Sequence, residues 1–72
     1  ARWPEAQEAY FRAYSVNPDN ADYAFNLAVS LDQLRQGKPA LQYYQRALLL
    51  AEQRAASFSQ AQARARVQEL SR

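Results

Sequence analysis

The sequence has no cysteine, no histidine and no methionine, one glycine (Gly37) and three prolines (Pro4, Pro18 and Pro39). Without cysteine there is no disulfide framework, and the choice between a reducing and an oxidising compartment stays open. There is no histidine or cysteine to serve as base, nucleophile or metal ligand. One glycine cannot make a glycine-rich loop to cradle a phosphate. No run approaches the roughly 20 apolar residues that a membrane-spanning helix needs, and no basic-then-apolar leader opens the chain, so no membrane insertion is expected. The lack of methionine in a chain that begins at Ala1 reads as a piece of a longer protein.

What is present favours helix. Apolar residues make up 49% of the 72 positions, an ordinary share, and with so few glycines and prolines the fold class expected is all-α. A domain this small buries only about 60% of the surface of its unfolded chain, so the core must come from regular packing alone. Charge is uneven. Residues 1–36 carry three cations and five anions, whereas residues 37–72 carry six cations and two anions. The basic half, with Arg54, Arg64, Arg66 and Arg72, lacks the interleaved aromatics of single-strand binders, which disfavours nucleic acid as a partner.

Apolar positions recur with helical spacing at Ala6, Ala9, Tyr10, Ala13 and Tyr14, at Ala24, Leu27, Ala28 and Leu31, and at Ala40, Tyr44, Ala47, Leu48 and Ala51. Helices are therefore expected over about 4–16, 21–35 and 39–53, with a fourth over about 58–71. Between the first two, Val16-Asn17-Pro18-Asp19-Asn20 supplies a helix-ending proline and a cap for the next helix from Asp19 or Asn20. Gly37-Lys38-Pro39 makes the second break, with glycine to leave one helix and proline near the start of the next. Short connections of this kind make neighbouring helices antiparallel. After Pro39 there is neither proline nor glycine, so the last part could instead prolong the third helix into one of some thirty residues, a shape that invites exchange of elements between chains. Ser57 followed by Gln60 reads as a capping box and favours a separate helix folded back as a cap.

The first and third helices repeat each other. Ala6 and Ala40, Tyr10 and Tyr44, Arg12 and Arg46, and Ala13 and Ala47 are each 34 positions apart. In its period and in these residues the chain resembles the tetratricopeptide repeat family. Leu27, Ala28 and Leu31 are similar to the large-small-large series of that family's first helix, Ala40, Tyr44 and Ala47 to its second, and Asn17-Pro18-Asp19-Asn20 to the junction between units. The resemblance divides the chain into the second helix of one unit (1–20), one full unit (21–54) and a C-terminal capping helix (55–72). It departs from the family pattern at Ala24, where tryptophan is frequent, at Arg35, where the turn glycine is expected with Gly37 two places late, and at Glu52, which replaces a closing proline. The series "NLAVSLDQLRQGKPALQYYQRAL" further resembles repeat proteins of Gram-negative envelope machines, including pilus and secretion assemblies, in periplasm or cytoplasm.

The resemblance implies a non-catalytic module that binds a peptide or partner protein as part of a scaffold or assembly factor. It implies a groove lined by Asp22, Phe25, Asn26, Val29, Asp32 and Gln33. There the Asn26 amide would bond a ligand backbone, Phe25 and Val29 would give apolar contact, and the two aspartates would favour a basic ligand. Phe25 and Val29 stand where the family's clamp for acidic peptide termini has lysine and asparagine, so that ligand is not expected. The aromatic face of the first helix, with Trp3, Phe11 and Tyr14, lacks the helix that precedes it in a complete unit and is a candidate self-association edge, giving a homo-oligomer as the alternative function. No catalytic site, metal or cofactor is expected. Asp19 and Asp22 read more simply as charges placed at a helix N-terminus than as a metal or acid-base pair.

Overall fold

The computed structural model describes residues 2–72; Ala1 lies outside them. The described residues form four helices and no strand: α1 (Trp3–Val16), α2 (Ala21–Gln33), α3 (Gly37–Gln53) and α4 (Gln60–Leu70). The fold is all-α, as the composition and periodicity predict. α1 and α3 begin 34 positions apart, at Trp3 and Gly37. No helix among the described residues is long and apolar enough to cross a membrane.

Each connection has its own physical cause. Asn20, not Asp19, caps α2: its side-chain oxygen accepts from the Tyr23 N–H at 3.0 Å. Asp19 instead approaches Arg54 at 3.9 Å, and both are exposed, so the pair contributes little. α2 ends at Gln33, two residues earlier than expected. Arg35 turns the chain with a left-handed φ of 62°. The Arg35 N–H donates to the Asp32 carbonyl at 3.0 Å and the Gln36 N–H to the Leu31 carbonyl at 2.9 Å, the paired bonds of a Schellman motif. Gly37 is therefore not the exit from α2; it has no positive φ and is the first residue of α3, two positions before Pro39. Residues 39–70 do not form one helix: α3 stops at Gln53, where Arg54 turns extended at φ −137° and ψ 150°. α4 starts later than expected because Ser59, not Ser57, is its cap, accepting from the Gln62 N–H at 3.2 Å.

The core is written in small residues between large ones. Ala24, Ala28, Ala40 and Ala47 are fully buried together with Leu27. Side chains this small let the helix axes approach closely, while Leu31, Tyr44 and Leu50 fill the remaining space. Leu27, Ala28, Leu31, Ala40, Tyr44 and Ala63 form one cluster, and Ala21, Ala24, Ala47 and Leu50 a second, with Tyr14, Phe25 and Phe58 packed against both. Ser30, also fully buried, turns its hydroxyl onto the Asn26 carbonyl of its own helix at 3.0 Å. α1 packs on α2, α2 on α3 and α3 on α4. The start of α2 lies beside the end of α3, and Leu70 near the end of α4 lies against Gly37, so α3 runs antiparallel to both neighbours.

Candidate protein-interaction face

The residues Asp22, Phe25, Asn26, Val29, Asp32 and Gln33 fall along one stripe of α2, as their three-and-four spacing requires. The structure places the C-terminal segment along this stripe. Asp22 accepts from the Ser57 N–H at 2.8 Å and the Ser57 hydroxyl at 3.4 Å. The Phe25 ring stacks on Phe58 with centroids 4.4 Å apart and planes 3° from parallel, and meets Tyr44 edge-on at 5.8 Å.

At the far end of the stripe, Asp32 joins three helices. The Tyr44 hydroxyl of α3 donates to it at 3.0 Å, and Arg66 of α4 donates from Nε and Nη2, both at 2.6 Å. This two-point guanidinium–carboxylate geometry is the strongest form such a pair takes. The Asp32 side chain is 12% exposed and that of Arg66 37%. The hydrogen bonds from Arg66 hold the Asp32 carboxyl below its ordinary range, against burial, which acts the other way; the Tyr44 hydroxyl adds to the lowering. Burial, reinforced by the bond to Asp32, pushes the Tyr44 phenol upward.

Three of the six stripe residues are thus engaged within the chain. Both aspartates already have partners: Arg66 offsets the charge of Asp32, whereas Asp22 keeps its charge under two hydrogen bonds from Ser57. Val29 is half-buried against the core. Asn26 is half-buried, and with Asp22, Phe25, Ser57 and Phe58 it lines an open cleft of about 370 Å³. Gln33 is exposed. A larger hollow of about 470 Å³ lies at the α1–α2 junction, bounded by Pro18, Asp19, Asp22 and Arg54.

Sequence reasoning missed Ser57 and Arg66 as parts of this face. Arg66 stands 34 positions after Asp32, and no local pattern joins the two.

The aromatic residues of α1 separate into two kinds. Tyr14 packs into both clusters and meets Tyr43 edge-on at 5.4 Å, and Trp3 is half-buried. Phe11, 47% exposed, is the most exposed of the three. Val16 and Leu49 are the other large apolar residues left exposed. Among the described residues no cluster of three or more acidic or other ligating side chains could hold a metal ion. Comparison of the chain with protein-family models, with curated proteins and with solved structures finds no match.

Proposed function

We propose that the chain is a non-catalytic protein-interaction module of the tetratricopeptide type, taking a peptide or partner segment along α2 as part of a scaffold or assembly factor. The reading is supported by the 34-residue interval between α1 and α3, by the alanine-lined helix contacts, and by the left-handed turn at Arg35, where the family has glycine. The observation that carries the binding reading is the cleft beside the Phe25–Phe58 stack, with the Asn26 amide on its wall. An amide offers one donor pair and one acceptor, which suits the backbone of an extended peptide, and the stacked rings give an apolar neighbour for one of its side chains. Gln33, exposed farther along the same stripe, extends the polar track.

The test uses peptides selected from a random linear library displayed against the chain. Loss of the two backbone bonds in Asn26→Ala should weaken the selected peptides about thirtyfold, since each such bond is worth about 1 kcal/mol, and the melting temperature should stay within a degree or two of the parent. Selected peptides that bind Asn26→Ala equally well, or a library that yields no binder, would refute the reading.

A second reading, self-association through α1, rests on the exposure of Phe11 beside half-buried Trp3. It predicts a mass that rises with concentration in sedimentation and a loss of that rise in Phe11→Ser.

A further inference from the structure

The three connections of the fold are enforced to different degrees. The first contains Pro18 and the Asn20 cap, and the second closes through the left-handed Arg35 and its paired bonds. The third, residues 54–59, contains neither proline nor glycine. Glu52, Gln53, Arg54, Ala55 and Ala56 are among the best helix formers, so local preference would carry α3 straight on. The connection's one local signal is the Ser59 cap on Gln62, and the other contacts that bend the chain are tertiary: Ser57 on Asp22, Phe58 on Phe25 and Arg66 on Asp32, all made to α2.

We infer that residues 54–59 are a hinge, and that residues 60–70 of a second copy can replace the chain's own against α2 and α3, giving a dimer with exchanged C-terminal helices. If residues 54–59 turn helical, residues 37–70 become one rod about 50 Å long at 1.5 Å per residue, well beyond the molecule's largest extent of 31 Å. Such a rod cannot fold back on itself. It uncovers Phe25, Tyr44 and Ala40 on its own copy and carries Phe58, Ala63, Val67 and Leu70 away from them. The segment whose shape and charge fit that uncovered face is another copy's residues 60–70, which brings Ala63, Val67 and Leu70 back to the core and remakes the same guanidinium–carboxylate pair. The exchanged state keeps the α4 contacts and adds helix at the hinge, and it opposes these gains with the lost Ser57–Asp22 bond, the lost Ser59 cap and the entropy of association, so it is favoured by concentration. This inference is independent of peptide binding along α2.

The absence of cysteine makes the test clean. Gly37 and Leu70 are placed so that a β-carbon on the first lies 3.6 Å from the second, and Gly37→Cys with Leu70→Cys can be joined by a short bifunctional thiol reagent. The protein is held at high concentration near its melting midpoint, cooled, diluted and measured by light scattering. Expected is a dimer that persists on dilution and in which the reagent links two chains covalently. Ala55→Pro should stay monomeric, because the extended Arg54 accommodates a following proline while the ring forbids a continuous helix. A chain that remains monomeric throughout, a dimer in which every link is within one chain, or dimerisation of Ala55→Pro equal to the parent would each overturn the inference. The intramolecular or intermolecular character of the link decides the matter even if Ala55→Pro does not fold.

Discussion

Replacing Arg35 by glycine should stabilise the protein. Among the described residues Arg35 is the one non-glycine residue with positive φ, at 62°, and its side chain is exposed. Its β-carbon then crowds the following carbonyl, at a cost of about 1–2 kcal/mol for an L-residue. Glycine removes that cost but brings a freer unfolded chain, which takes back about 0.5–1 kcal/mol. The net gain is about 0.5–1 kcal/mol, and in a domain of this size that raises the melting temperature by about 2–8 °C. Both turn bonds, from the Arg35 and Gln36 N–H groups, are backbone bonds that the substitution leaves in place. The matching change is Gly37→Ala. Gly37 has no positive φ, and an added β-carbon would meet Leu70 Cδ2 at an ordinary 3.6 Å, so helix preference should gain up to about 1 kcal/mol. Thermal melts followed by far-ultraviolet circular dichroism read both. A lower or unchanged melting temperature for Arg35→Gly, with the helix signal intact, would refute this account of the turn.

Other expectations follow from single contacts. Ala28→Leu and Ala47→Leu insert bulk where exposure is zero, and each should lower stability by about 1–3 kcal/mol in denaturant titration. Asn20→Ala removes the α2 cap and should cost about 1 kcal/mol, whereas Asp19→Ala should be close to neutral. The Asp32 carboxyl is held below its ordinary 3.8, so its contribution is fully present above about pH 4 and is lost as pH falls through the lower folded value. The Tyr44 phenol is raised above its ordinary 10.0, so its contribution is present below about pH 10 and is lost as pH rises past that point. Melting temperature should therefore fall at both extremes, and Asp32→Asn should flatten the acid limb while lowering the plateau.

The helices were legible because their apolar spacing is local information. Ala24, Leu27, Ala28 and Leu31 predict a buried face without any knowledge of what covers it. The turn at Arg35 was half legible: the resemblance to the tetratricopeptide repeat implies a turn glycine at that position, yet Gly37 nearby drew the break two residues late. The start of the last helix was ambiguous because Ser57 and Ser59 are both capping residues, and only the bond from Ser57 to Asp22, 35 positions away, decides between them. The stripe on α2 came from the resemblance, residue by residue, and its covering was not readable. Ser57, Phe58 and Arg66 reach Asp22, Phe25 and Asp32 through the way α3 returns the chain, and no local pattern around them carries that path.

α1 contains no buried residue, and its leading Arg2 makes no side-chain cap. The cost of opening is therefore graded along the chain. Amide protons of residues 3–16 should exchange with solvent long before those of α2 and α3, whose protection approaches that of global unfolding. A surface laid against α1 would act as a splint, slowing exchange at that end and raising the force needed to peel the chain from it. Of all the helices, α1 is the one whose rigidity a neighbour can change most, and it lies away from the cleft on α2.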